Sequence, residues 1–404
     1  MMLNKLTITL VGGGNSAHVL IPFLESSGHM VNLLTRRPND WQETVKCDLT
    51  MMDNTVTKTF TGSIHTKSSD PVDVIPYADA IILCMPVHQY RAALERVAPY
   101  INKSKKEVFV GTIYGQAGFN WMVHEMEREF NLTNIICFAV GCIPWICRTL
   151  KYGSHVANYG GKLVNIVAVS PKEKFDTLNN RLLNDISVTQ LGIGKFVQAC
   201  SFISLTLSVD NQIIHPSRCY GLWKQTAGKW PNLESVPYFY RDFDDISAQV
   251  LTDTDNDYSA VRTAIRKRFP DRPFKYMLNY FDLEKLCHGS NHVDIKASFR
   301  DSKQLGLIKT PTIEDDDGSQ KLDINCRFFT DDIPYGLLIA KWIAEQLDVK
   351  TPAIDEIIRW SQRLRGEKWI TEDNKINYPY AMSHKKLSGI PPAYGITSVD
   401  KILD

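Results

Sequence analysis

Three glycines follow directly on a short apolar run near the start of the chain. Leu6-Thr7-Ile8-Thr9-Leu10-Val11 reads as a β-strand, and Gly12-Gly13-Gly14-Asn15-Ser16-Ala17 opens a helical pattern over residues 15–26. Gly12, Gly14 and Ala17 fit G-x-G-x-x-A in the strand–turn–helix setting that gives this motif meaning. The reason is steric. Gly12 permits the tight turn, Gly14 lets backbone approach a pyrophosphate, and Ala17 lets helix and strand pack closely. The first N–H groups of the helix and its dipole then favour phosphate. Gly13, Asn15 and Ser16 complete the expected phosphate loop. A plain glycine turn is the bland alternative.

The following segments extend this reading. Met30–Thr35 is a second strand. Residues 80–85, 108–112 and 134–140 are continuous apolar runs, as parallel strands covered on both faces require. Helical patterns lie between them, so residues 1–195 are expected to form an α/β Rossmann domain with a doubly wound parallel sheet. After about residue 190 the texture changes. Residues 246–251, 260–269, 335–347 and 353–364 have helical spacing, and 335–347 keeps apolar residues at 335, 338, 339, 342, 343 and 347. Residues 196–404 are read as an all-α catalytic domain.

Lys plus Arg total 46 against 45 Asp plus Glu, which argues against a nucleic-acid coat or a polybasic membrane binder. No stretch reaches about 18 uncharged apolar residues, and the N-terminal run is broken by threonines, so a strand is preferred to a signal peptide. The nine cysteines are scattered, and no second close pair joins Cys142 and Cys147 to complete a zinc site. They read as reduced thiols of a cytoplasmic protein, with no metal expected. The expected partners are small molecules, with neither nucleic acid nor membrane, and the assembly a monomer or homodimer.

The end of the second strand normally selects the dinucleotide, through an acid that holds the ribose of NAD. Here it reads Asn32-Leu33-Leu34-Thr35-Arg36-Arg37, without a carboxylate. Arg36 or Arg37 can hold a 2′-phosphate and Thr35 can donate to it, which leans toward NADP over NAD. Two solvated arginines beside an NAD-using site are the alternative. Met85-Pro86 ends a sheet strand near where pyrophosphate and nicotinamide should run.

Three further residues have both a chemical and a bland reading. His215 precedes Pro216, which disfavours helical geometry before it and predicts a helix end or kink at His215, facing a cleft. Taken alone, a satisfied structural histidine accounts for it. Asp331-Asp332-Ile333-Pro334 precedes a strong helix, so either aspartate reads as an N-cap, and Arg327 as an ordinary ion-pair partner.

In order along the chain stand Val11-Gly12-Gly13-Gly14-Asn15-Ser16-Ala17-His18, Gly115-Gln116-Ala117-Gly118-Phe119 and Pro144-Trp145-Ile146-Cys147-Arg148. They are followed by His215-Pro216, Arg327-Phe328-Phe329-Thr330-Asp331-Asp332-Ile333-Pro334 and Tyr394-Gly395-Ile396. This ordered set resembles the opine dehydrogenases, the octopine/nopaline dehydrogenase family. The resemblance implies a Rossmann domain followed by a helical catalytic domain. It also implies NAD(P)H-dependent reductive condensation of an amino acid with a 2-keto acid, usually pyruvate. It casts His215 as general acid/base, Asp332 as the carboxylate that orients and charges it, and Arg327 as the clamp for the keto-acid carboxylate. Gln116 and Cys147 would line the cleft.

One departure bears on the substrate. Members that accept arginine place a carboxylate at the position matching Gly141, so the resemblance implies a smaller or uncharged amine such as alanine, glycine or taurine. Residues 223–234 are the other place where side-chain recognition is expected. Two other functions compete. A two-domain hydroxyacid or sugar-phosphate dehydrogenase would rely on a lysine, and none stands in the matching block. A non-catalytic NADP(H)-sensing protein would tolerate loss of His215, Asp332 or Arg327, and all three are present.

Overall fold

Parallel pairing around one central strand organises the N-terminal half. In the computed structural model, which describes residues 5–51, 53–208, 210–300, 302, 305–306, 308–383 and 388–403, β1 (Thr7–Val11) lies between β2 (Met30–Leu34) and a later strand, Ala80–Leu83. The chain divides into two units, Met1–Leu205 and Thr206–Asp404; the sequence pattern places this boundary at 195/196.

Between β2 and Ala80–Leu83 come β3 (Thr44–Thr50), β4 (Val56–Ser63) and β5 (Thr66–Ser68), which makes Ala80–Leu83 β6. Then follow β7 (Val108–Thr112), β8 (Ile135–Val140), β9 (Trp145–Lys151), β10 (His155–Gly161), β11 (Val164–Ser170) and β12 (Lys195–Gln198). Among the described residues eight strands form the main sheet, in the order β12-β11-β8-β7-β6-β1-β2-β5. Of these, only β8 and β11 pair antiparallel. After β1 the chain first adds β2 on one side and later β6 on the other. The strand order therefore reverses beside β1, and in doubly wound sheets ligands bind outside the carboxyl ends of the strands at that point. The register aligns Val11 with both Leu34 and Leu83, so Gly12, Thr35 and Cys84 emerge together.

Helix α1 (Asn15–Ser26) is buried without a break from Ala17 to Leu24. An amphipathic helix would not be. A second sheet, β4-β3-β10-β9, accounts for it. Phe23 meets Phe60 of β4 and Trp145 of β9 edge to face, while the main sheet supports α1 through a shared core. The sequence pattern does not reveal this second sheet.

The C-terminal unit is mostly helical. Helices α2 (Asn211–Thr226) and α3 (Asp245–Arg268) carry the next groups of interest, with α4 (Leu338–Gln346) and α5 (Pro352–Arg365) beyond. The two separate patterns at 246–251 and 260–269 belong to the one helix α3. The stripe at 335–347 begins as a wide π-helical turn, Ile333–Leu337, before α4. The unit also holds a small three-stranded antiparallel sheet, β13 (Lys229–Trp230), β14 (Thr312–Glu314) and β15 (Gln320–Leu322), with β15 in the middle. Among the described residues no helix is long and apolar enough to cross a membrane.

Candidate active site

The glycine turn has the backbone that its sequence requires. Gly12 sits at φ +103°, and a Cβ there would come 2.6 Å from the Cys84 carbonyl oxygen and 3.1 Å from the Met85 methyl. Only glycine meets both conditions without strain. Gly12 N–H donates to the Leu34 carbonyl at 2.8 Å and Gly14 N–H to the Cys84 carbonyl at 3.3 Å. The loop is thus stitched to both neighbouring strands. Gly14 is the N-cap of α1 and brings no side-chain cap; Ala17 N–H turns back to the Gly14 carbonyl at 3.1 Å, and the N–H groups of Asn15 and Ser16 are the ones placed for an anion. This cradle fits a dinucleotide pyrophosphate. Asn15 adds a brace, its Oδ1 accepting from the N–H and hydroxyl of Thr149 at 3.2 and 2.6 Å.

Three residues behind the loop carry no signal of this role in the sequence. His18 is fully buried, with Nδ1 2.9 Å from the Gly14 carbonyl oxygen and Nε2 accepting from Gly153 N–H at 2.8 Å. Burial pushes its pKa down, as a neutral ring that both donates and accepts requires. The ring lies 4.2 Å from that of Trp41, and Tyr152 meets both rings edge to face. This aromatic block supports the turn from beneath. His18 belongs to one of the ordered sequence blocks, but its partner Gly153 lies 135 positions away.

The two arginines after β2 differ. The Arg37 guanidinium stacks 4.3 Å from the Tyr152 ring centre and pairs with Asp40 at 3.5 Å. Thr35 is buried, and its hydroxyl accepts from Arg37 N–H at 3.4 Å. Arg36 is exposed, as is Pro86, and Met85 is half-buried against the turn. Gln116 is fully buried and donates to the Cys142 sulfur at 3.2 Å. Cys147 sits on β9, with its thiol pushed up to about 12 by burial. Gly141 is backed by Leu205, whose Cδ2 would lie 3.2 Å from a Cβ at that position.

In the helical unit, two segments 117 positions apart in sequence make one buried pair. His215 Nδ1 lies 2.7 Å from Asp332 Oδ2, and the two side chains are 0% and 2% exposed. Helix α2 runs through Pro216 rather than ending at His215. Pro216 removes one N–H from the helical ladder, and the unbroken burial of α2 from Gln212 to Cys219 holds the helix continuous across it. Gly336 makes the pairing possible. A Cβ at Gly336 would fall 2.7 Å from the Gln212 Cγ, so its absence lets the Asp332 segment close on α2.

The imidazole is also held face-on. Its ring stacks on Phe328 at 3.9 Å and meets Phe239 edge to face. Its Nε2 lies 2.9 Å from the Tyr240 hydroxyl, a partner that sequence reasoning misses. The carboxylate of Asp332 makes no side-chain cap to the following turn, so the N-cap reading is corrected. Arg327, one turn earlier, is exposed, with its guanidinium 5.2 Å from the Phe328 ring centre.

Electrostatics in this pair differ from the sequence expectation that Asp332 would raise the pKa of His215. Burial is the largest influence and pushes the imidazole well below its usual range, and the Arg327 charge adds to the fall. Burial likewise pushes the Asp332 carboxyl well above the usual carboxylate range, with the Arg327 charge opposing. A buried ion pair is costly to form, so the two groups share one proton. Such a pair, beside a cationic side chain able to grip a carboxylate, can take up and release one proton next to an anionic substrate.

Residues 198–365 match the family described as NAD/NADP octopine/nopaline dehydrogenase, alpha-helical domain. The chain is 27% identical to the opine dehydrogenase of Haliotis discus hannai, with all of both chains covered. It is 24% identical to the tauropine dehydrogenase of Arabella iricolor, over 98% of this chain and 99% of that one. The solved octopine dehydrogenase in complex with NADH and L-arginine superposes with a TM-score of 0.81 at 22% identity, covering 99% of this chain and 98% of that one. The fold is shared.

Proposed function

We infer that the chain belongs to the opine dehydrogenase family, and that it condenses an amino acid or taurine-like amine with a 2-keto acid such as pyruvate, with reduction, and runs the reverse oxidation. The observation that carries this reading is the buried Asp332–His215 pair with Arg327 one turn away, all within the segment matched to the helical domain.

The roles follow from the chemistry of each group. The Arg327 guanidinium grips the keto-acid carboxylate through two parallel hydrogen bonds. The amine adds to the keto carbon, and the resulting hydroxyl must leave as water, which requires a proton. His215 and Asp332 supply it and take one back in the reverse direction. A reduced nicotinamide dinucleotide held on the glycine cradle supplies the hydride. Purified protein mixed with NADH or NADPH, pyruvate and a panel of amines, followed at the nicotinamide absorbance, tests the reading. Absence of consumption with every amine would overturn it.

Within that reading, Gly141 sets the class of amine. Gly141 has no side chain with which to receive a guanidinium. Small or uncharged amines such as alanine, glycine or taurine should therefore be preferred over arginine. The free thiols suit a reducing, cytoplasmic setting.

For the dinucleotide we favour NADP. Arg37 is engaged with Tyr152 and Asp40, which leaves the exposed Arg36 as the cation for a 2′-phosphate. NADPH should bind at least as well as NADH, and Arg36→Glu with Arg37→Ser should shift preference toward NADH. A wild-type preference for NADH of about tenfold (~1.4 kcal/mol), unchanged in the double variant, would refute the assignment.

A further inference from the structure

The His215 imidazole has protein partners at both nitrogens. Nδ1 faces Asp332 at 2.7 Å, and Nε2 faces the Tyr240 hydroxyl at 2.9 Å. The ring is fully buried between Phe328 and Phe239, so it has no exposed edge through which to reach a substrate. A general acid/base in this position needs an intermediary at Nε2, and the group there is itself a proton donor and acceptor.

The loop that presents this hydroxyl is firmly built. Arg218 lies on α2 one turn beyond His215 and is fully buried. It donates to the carbonyls of Phe239 at 2.9 Å, Asp242 at 2.8 Å and Tyr238 at 3.4 Å. It also pairs with the Asp244 carboxylate and donates to the Ser247 hydroxyl at 3.1 Å. Its charge is thereby compensated, and each of its nitrogens is hydrogen-bonded, as a buried guanidinium requires. The helix that carries His215 thus carries the residue fixing the backbone on both sides of Tyr240. The Tyr240 ring packs on Phe239 and Phe299, with the residue 6% exposed.

A phenol matches an imidazole nitrogen in either state. Its O–H donates to bare Nε2, and its oxygen accepts from a protonated Nε2. We propose that Tyr240 relays the proton between His215 and the reacting substrate. The proposal rests on the function inferred above. In the dehydration step the Tyr240 O–H bond breaks toward the carbinolamine oxygen. That oxygen leaves as water with the electron pair of its bond to carbon, and the amine lone pair closes the C=N bond. In the same event the His215 Nε2–H proton passes to the phenol oxygen, so the tyrosine ends as it began and the imidazole has lost one proton. Opine oxidation runs the same path backwards.

Tyr240→Phe tests this, because it keeps the ring and removes only the hydroxyl. Wild-type turnover, cofactor titration by NADH or NADPH fluorescence, and turnover of Tyr240→Phe, His215→Ala and their double variant are measured in one assay. The expected result is a loss of turnover of about 10²-fold in Tyr240→Phe, as for a general acid/base group, with cofactor binding unchanged. The double variant should be no worse than His215→Ala, since the two residues act in series. A loss under tenfold overturns the relay. So does a loss that multiplies with that of His215→Ala, or one accompanied by an equal loss of cofactor affinity, each of which indicates packing. An inactive wild type would overturn the function inferred above, whereas an active wild type with an active Tyr240→Phe overturns the relay alone.

Discussion

His215→Ala should lose about 10²–10⁴-fold in turnover, the usual worth of a positioned general acid/base, while still binding the dinucleotide. Asp332→Asn should be impaired as well, because its amide neither shares the proton nor holds the imidazole in the same way. The double variant should be hardly worse than His215→Ala, since groups that work as a unit are not additive. The pH dependence follows from burial. His215 is pushed down and Asp332 up, so the pair holds one proton between them and titrates with an apparent pKa that belongs to both. Reductive condensation takes up that proton, so its rate falls as pH rises through this apparent pKa. Oxidation needs the pair emptied, so its rate rises over the same range. The optimum for reduction should therefore lie below that for oxidation. Rate profiles in both directions measure the order, and coincident optima, or near-normal turnover of His215→Ala across the range, would return His215 to a structural role.

Arg327→Ala should raise the Michaelis constant for the keto acid by about 10²-fold or more. Two charge-assisted hydrogen bonds are lost, each worth about 1.5–3 kcal/mol, and about 1.4 kcal/mol is tenfold. Arg327→Lys keeps the charge but not the planar fork, so about tenfold is expected from the loss of one such bond. The dinucleotide constant should not move in either variant. The two variants separate again in pH dependence. The Arg327 charge lowers the pKa of both His215 and Asp332. Removing it raises both, so the fall in reductive rate should move to higher pH in Arg327→Ala and stay in place in Arg327→Lys. Unchanged constants for the keto acid in both variants would exclude the clamp.

Elements whose signal is local are legible in the amino-acid sequence. The helix over residues 15–26 and the strand over 108–112 are read there at their observed limits, because an apolar run or a 3.6-residue stripe, bounded by glycine or a turn, carries the information within a dozen residues. The second sheet is not legible. It joins Thr44–Ser63 to Trp145–Gly161, with β3 and β10 parallel neighbours. Its strands mix polar and apolar residues without a continuous apolar run, and β4 reads Val-Thr-Lys-Thr-Phe-Thr-Gly-Ser, a composition that loops share.

The glycine turn is legible in sequence because Gly12, Gly14 and Ala17 stand together in one short motif between a strand and a helix, although the atoms that exclude a Cβ at Gly12 and Gly14 belong to Cys84 and Met85 of another strand end. His215, Asp332 and Arg327 also stand out in the sequence, but as separate residues, each with a bland reading as good as its chemical one. It took the folded chain to establish that Asp332 turns to His215 instead of capping its helix, that Arg37 is engaged with Tyr152 and Asp40, and that Tyr240 occupies Nε2. Folding also reverses the expected direction of the imidazole's pKa. The sequence shows an acid able to charge a histidine, but the outcome depends on how much water both have lost. Desolvation is set by everything packed around the pair, here Phe328, Phe239 and helix α2, drawn from segments more than a hundred positions apart.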